Sequence, residues 1–307
     1  MMRRNLLAVP AGLAMATSAS AQAALALHTA GAGSGFIAYG EALAATLARQ
    51  GITLPIRTST GSLQNLATVE DDPNALGTAF LGSVWDALQG TPAAGGRRHV
   101  NVRALWPMYE TSFQIAALAT SGLTQFPQLA GKRVGAGPAR GPAETFLRAA
   151  GEAAGITFEV VSGTPAEMSE GLLAGRMDAL WQGAIVPIPS ILAALARAPG
   201  VVFGPGAEVV ARVTQRLPML APTTLPPGTY PGQTAPIESF AAWNFVVAHR
   251  ALSDETAYAL TKAVLTSDPA VVTARPANAG TNRILPFHPG AARFYREAGV
   301  TLAAPPA

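Results

Sequence analysis

The sequence predicts an α/β protein made of two similar lobes, each an open, mostly parallel sheet flanked by helices. Three observations carry this. Short apolar runs alternate with amphipathic segments of helical spacing along most of the chain, the pattern of parallel sheets covered on both faces. A short apolar run leading through a glycine-rich turn into a helix occurs near residue 31 and again near residue 135. The chain has 307 residues, a length suited to two domains of ordinary size.

In chain order, residues 25–28 form an apolar run and read as a strand, and 39–49 as an amphipathic helix. Residues 53–58 read as a strand with Ile56 between polar neighbours, and a helix starts over 63–69. Residues 75–81 contain a short buried strand and 84–89 a helix. Two extended apolar segments follow, 102–108 and 113–119, and 121–131 reads as a linker into the second lobe. That lobe opens with a strand at 132–135 and a helix over 142–154, with Pro142 suited to the first helical position. Residues 158–161 and 179–181 read as strands, with a helix at 168–174 between them. The stretch 217–238 is rich in Pro, Gly and Thr and reads as a long irregular connection, a kind of segment that is often functional. The chain is helical again over 253–300, where Ser253 is a good N-cap followed by Asp254 and Glu255. A short helix over 291–298 is closed by Gly299.

Composition narrows the class. Hydrophobic residues make up 49% and charged residues 13%, so the chain is globular and not disordered. The N-terminus has the parts of an export signal: Arg3 and Arg4, an apolar stretch over 6–17, and Ala21-Gln22-Ala23 as a cleavage site. The apolar stretch is too short for a membrane span. Cleavage after about Ala23 removes two Arg and no acid, lowering the formal charge from +3 to +1. Nothing in that balance suggests a nucleic-acid partner. Cysteine is absent, which excludes thiolate metal sites, and the four His are scattered with no pair at ligand spacing, so no metal site is expected.

The chemistry-bearing feature is the turn over residues 29–40. A glycine-rich turn opening a helix leaves backbone N–H groups facing open space, with roughly half a positive charge from the helix dipole. Such a place binds an anion without a basic side chain. The same grammar recurs at 59–65 and 135–145. No Gly-x-Ser-x-Gly elbow and no Cys nucleophile is present, so no catalytic residue is assigned. A variant dinucleotide fingerprint, Gly135-x-Gly137-x-x-x-Gly141 with Glu159 downstream, keeps a nucleotide-dependent enzyme as an alternative.

Four motifs then give a family resemblance: the loop 29–40 ending in an aromatic; Thr60-Gly61-Ser62-Leu63-Gln64-Asn65-Leu66; residues 131–137 with the later 171–178; and Tyr230-Pro231-Gly232-Gln233-Thr234 with 254–262 and His288-Pro289-Gly290-Ala291-Ala292-Arg293-Phe294-Tyr295. The chain resembles the TAXI solute receptors of TRAP transporters across nearly its whole length after the export signal. It departs where Ala30, Ala32 and Ile37 interrupt the first loop, and where Arg140 replaces a small hydroxyl residue of the second. The resemblance implies a two-lobed periplasmic-binding-protein type II fold with hinge strands: signal peptide 1–23, lobe one over 24–108 plus 253–307, lobe two over 109–252. It implies a monomeric periplasmic receptor that takes a small organic anion, glutamate-like or a dicarboxylate, without a cofactor and delivers it to a TRAP-type membrane permease. The same fold would serve a ligand-sensing module for a signalling partner.

The expected ligand-binding residues are Gly33, Ser34, Phe36, Tyr39, Ser59, Thr60, Ser62, Asn65, Arg140, Gly141, Trp181 and Gln182. Several have a plainer role open to them. Ser34 and Ser62 suit N-capping, Tyr39 suits packing, and Arg140 suits an i,i+4 pair with Glu144, as does Glu144 with Arg148. As a ligand contact, Arg140 would clamp a carboxylate with two parallel bonds. Trp85, Trp106, Tyr109, Phe113 and Gln114 are further residues able to face the cleft, with core packing favoured for Trp106. His288 is expected to be structural, satisfied by backbone.

Overall fold

The computed structural model describes residues 25–31, 34–137, 139, 141–267 and 274–303. The expected export signal, Gly33 and Arg140 lie outside the described residues.

The first half of the chain supplies β1 (Ala26–His28), α1 (Gly35–Ala48), β2 (Ile56–Arg57), α2 (Ser62–Asp71), β3 (Ala75–Phe80) and α3 (Leu81–Gln89). The long strand β4 (Val102–Leu118) leads onward to β5 (Arg133–Gly135), α4 (Pro142–Ala154), β6 (Glu159–Val161), α5 (Pro165–Leu173) and β7 (Ala179–Ala184). Then follow α6 (Pro189–Leu195), β8 (Gly200–Phe203), α7 (Ala207–Arg216), β9 (Ala221–Leu225), the second long strand β10 (Ile237–His249), α8 (Asp254–Leu265) and α9 (Pro289–Glu297). The described strands join in the order β2-β1-β3-β10-β4-β7-β5-β6, with β8 on β4 and β9 on β10.

Two parallel triplets lie at the ends of this path. β1 pairs in parallel with β2 and β3, and β5 with β6 and β7. Between them run β4 and β10, antiparallel to each other and to their neighbours. Both lobes share each long strand. In β10, Asn244–Ala248 pair with β3, while Ile237–Ala241 pair with β9.

Two expectations from sequence are corrected here. The polar interval Tyr109-Glu110-Thr111-Ser112 does not break β4 into two segments. Its polar groups are paired: Trp243, Ala242 and Ala241 stand opposite Glu110, Thr111 and Ser112, and Asn244 Nδ2 donates to the Tyr109 carbonyl and to Thr111 Oγ1. The stretch 217–238 is also not wholly irregular, because β9 pairs with the start of β10 across it. Backbone pairing outweighs the turn-forming composition there.

Apolar burial follows the sheet. α1, α8 and α9 cover one face of the first half through Leu43, Leu47, Leu260 and Phe294. α5 and α6 cover one face of the second through Met168, Leu172 and Ile191. On the opposite face a single apolar cluster runs through both halves, from Leu66 and Val69 of α2 past Phe80 to Phe113, Phe146, Trp181 and Phe240. Across it the Phe80 ring of the first half and the Phe146 ring of the second have centroids 6.1 Å apart.

Candidate functional site

In open α/β sheets, ligands sit outside the carboxyl ends of parallel strands. Here those ends are the starts of α1, α2 and α3 in the first half and of α4 and α5 in the second. They differ in how the helix start is satisfied. Ser34 caps α1, its Oγ accepting from Ile37 N at 3.2 Å, and Thr164 caps α5 in a reciprocal box with Glu167. No side chain caps α2, α3 or α4. α2 begins at Gly61, whose φ of 118° suits only glycine, and α4 at Gly141 with Pro142 as its first residue.

The turn before α2 is held by a buried network. Asn65 is 0% exposed. Its Nδ2 reaches the Thr29 carbonyl at 2.6 Å, the Thr78 carbonyl at 2.8 Å and Thr78 Oγ1 at 3.1 Å. The single proton of Ser59 Oγ is shared between the Thr29 carbonyl at 2.8 Å and Asn65 Oδ1 at 2.6 Å, and Ser59 Oγ accepts from Gly61 N at 3.0 Å. Thr60 spends its N–H and its hydroxyl on Gln64 Oε1. Ser59, Thr60 and Asn65 are therefore committed to shaping the turn. Ser62 differs: its Oγ accepts from Phe80 N at 3.1 Å, and its own proton has no acceptor among the described residues.

Aromatic residues gather at the start of α1. Tyr109, from the middle of β4, lies 6.3 Å from Phe36 and 6.2 Å from Tyr39, ring centre to ring centre. A Cβ at Gly35 would come within 2.8 Å of the Tyr109 hydroxyl, so that hydroxyl sits against the first residue of α1. Tyr39 accepts a hydrogen bond from Trp106 Nε1 at 3.0 Å. Burial pushes the Tyr39 and Tyr109 hydroxyls well above the usual phenol range, which keeps both as protonated donors.

In the second half Trp181 is 0% exposed, stacked on Phe113 at 5.5 Å, with its Nε1 donating to the Ala143 carbonyl at 2.9 Å. Its side chain is taken up by the core, so it ties β7 to the start of α4 and has no surface left for a solute. Gln114 is also fully enclosed, donating to Ser112 Oγ and accepting from the Tyr230 hydroxyl. Gln182, its partner across the β4–β7 pair, is 8% exposed, and its buried Oε1 has no partner among the described residues. Arg148 pairs with Glu144 at 2.7 Å, the i,i+4 contact the spacing allowed. His288 is enclosed, with Nδ1 accepting from Gly290 N at the start of α9.

A chain of contacts through the core links α2 to α4: Ser62 bonds to Phe80, and Phe80 meets Phe146, one turn into the helix that Gly141 opens. A cavity of about 530 Å³ lies elsewhere, lined by Val201–Phe203 and the 231–238 stretch. All its walls come from the second half, so closure of one half on the other would not act on it.

Two parallel-stranded halves sharing two antiparallel strands, flanked by helices, are the architecture of the periplasmic solute-binding proteins. Solved structures agree. The chain is similar to a TctC solute-binding protein from Polaromonas (14% identity, 81% of this chain and 83% of that one, TM-score 0.56). It is similar to MatC from Rhodopseudomonas palustris, solved with malate (14%, 81% and 86%, 0.51). A further R. palustris protein, solved with adipate, matches at 16% identity over 80% and 84% of the two chains, TM-score 0.51. The chain belongs to the NMT1-like family, whose model matches residues 27–299. No curated protein matches it in sequence. Among the described residues no helix is long and apolar enough to cross a membrane.

Proposed function

We propose that this chain is an extracytoplasmic solute receptor of the TAXI type. It captures a small organic anion, a glutamate-like amino acid or a dicarboxylate, between its halves and hands it to a TRAP-type membrane permease. Exported after cleavage near Ala23, it works as a monomer in the periplasm. The observation that carries this reading is that α2 in the first half and α4 in the second both start without a side-chain cap, with the Phe80–Phe146 contact joining the halves between them. Each start offers main-chain donors and a positive dipole end to a negative guest. The Ser62 hydroxyl, the Tyr109 hydroxyl and the amide of Gln182 add uncharged hydrogen bonds of about 1 kcal/mol each. Malate and adipate, bound by two proteins of similar fold, are both dicarboxylates, which supports the choice of guest.

In this reading Gly33 and Ser34 present the α1 turn, and Phe36 and Tyr39 wall it. Arg140 and Gly141 do the same for α4, with Arg140 supplying the one guanidinium. Ser59, Thr60 and Asn65 act by positioning the α2 turn, and Trp181 by positioning α4. Lobe one is 24–108 with 253–307 and lobe two 109–252, hinged where β4 and β10 pass between halves. A ligand bound only by the closed form shifts the population toward closure.

The test is a thermal-shift screen of the mature chain with glutamate, malate, glutarate and adipate. A solute at 100 times its Kd stabilises the folded state by about 2.7 kcal/mol. Silence across the acidic panel overturns the receptor reading. Arg140→Ala weakens the best hit; unchanged binding by that variant removes Arg140 from the site.

A further inference from the structure

The third strand-to-helix junction of the first half is built unlike the other two. β3 runs into α3 with no loop between Phe80 and Leu81, and no side chain caps the helix. Leu81, Gly82 and Ser83 are all buried. The first N–H groups of a helix have no partner further along it, and a buried, uncapped start leaves them seeking one. Ser83, the third residue of α3, is 9% exposed, and its hydroxyl makes no hydrogen bond among the described residues. It is nevertheless not among the fully enclosed unpaired atoms, so its oxygen keeps a face open to solvent. Side chains on a helix tilt toward its N-terminus, which carries this hydroxyl toward the start of α3.

Two neighbours complete the place. The Phe80 N–H bond to Ser62 Oγ draws the start of α2 beside that of α3. It also leaves the Ser62 proton uncommitted, so two hydroxyl donors stand at adjacent uncapped helix starts. α4 packs against this place: a Cβ on Gly82 would lie 2.5 Å from the Phe80 ring and 3.2 Å from Phe146 Cζ, so a glycine here makes room for both rings.

We infer that Ser83 and the first turn of α3, with Ser62, form a carboxylate subsite between the halves. The Phe80 and Phe146 rings pack against the methylenes next to that carboxylate. The subsite rests on the receptor reading and sharpens it: the preferred guest is an acid with unsubstituted methylenes beside one carboxylate, such as glutarate.

The test is a titration of ¹⁵N-labelled mature chain with glutarate, followed by backbone amide shifts, with sodium chloride at matched ionic strength as control. The Gly82 and Ser83 amides move saturably, together with Ser62. Ser83→Ala weakens glutarate binding about tenfold, the loss of one hydrogen bond to a charged group, while Ser83→Thr restores it. If glutarate moves Ser62 and Gly141 but leaves Gly82 and Ser83 unmoved, the subsite is wrong and the receptor reading survives. Unchanged affinity in Ser83→Ala has the same meaning. No movement anywhere overturns the subsite, and a silent thermal screen takes the receptor reading with it. The wild-type titration decides the question even if Ser83→Ala fails to fold.

Discussion

The two halves hold their strand ends in place by different chemistry. In the first, the turn before α2 is fixed by polar groups: Asn65 reaches two carbonyls and a hydroxyl, and Ser59 bridges the turn to β1. In the second, the start of α4 is fixed by rings. Trp181 stacks on Phe113 and both rings touch Phe240, Phe146 meets Phe113 edge-on, and one indole N–H ties the cluster to the Ala143 carbonyl. Each device fixes the turn that opens a helix. A polar pin is directional, and it leaves buried groups unsatisfied when broken. An aromatic stack holds by area and shape, and it fails by opening a cavity.

That contrast can be broken most directly at Trp181. Trp181→Ala removes the largest ring of the cluster and should cost about 3–5 kcal/mol, read as a fall in the urea midpoint. Binding of the best solute should weaken with it, because α4 loses its tie to β7. A variant as stable as wild type would show that the stack does not anchor the second half.

Asn65→Ala is the matching change in the first half. It removes the amide that bonds the Thr29 and Thr78 carbonyls and Thr78 Oγ1, leaving the Thr29 carbonyl to Ser59 Oγ alone, for an expected loss of about 2 kcal/mol. A loss below about 1 kcal/mol, the net worth of a single ordinary hydrogen bond, would mean that water replaces the amide and that the turn is not pinned.

The smallest effect lies between the halves, at Glu110 in the middle of β4. Burial raises its carboxyl above the ordinary 4.5, against hydrogen bonds from Thr223 and Trp243 that favour the charged form. The folded chain then keeps a proton that the unfolded chain has lost, so stability falls as pH rises from 4.5 through the raised value. Glu110→Gln should flatten urea midpoints across that window. A slope unchanged by the substitution would assign the pH dependence to other groups.

Much of the polar half was legible in the sequence. The spacing marks 59–65 as a turn opening a helix, but the capping role it suggests for Ser62 is not the one found: Gly61 holds the cap position and Ser62 Oγ accepts from Phe80 N instead. The helix over 142–154 was read to its ends because Pro142 and Gly155 punctuate it. The aromatic half was not legible. Phe113, Phe146, Trp181 and Phe240 come from four separate elements, and nothing in their spacing says that they meet. The expectation of Trp181 at the cleft comes from the family resemblance, and its contacts place it in the core instead. Ser83 was passed over because Leu81-Gly82-Ser83-Val84 has no turn signal; a strand running directly into a helix leaves none.

What the sequence determined alone is the alternation of strands and helices and the places where glycine opens a helix. Both follow from local periodicity and from backbone conformations that few residues adopt. Tertiary structure decided which rings meet in the core and which polar groups are spent inside the fold. Those outcomes depend on contacts between residues far apart in the chain, here made by β4 and β10 as they cross from one half to the other.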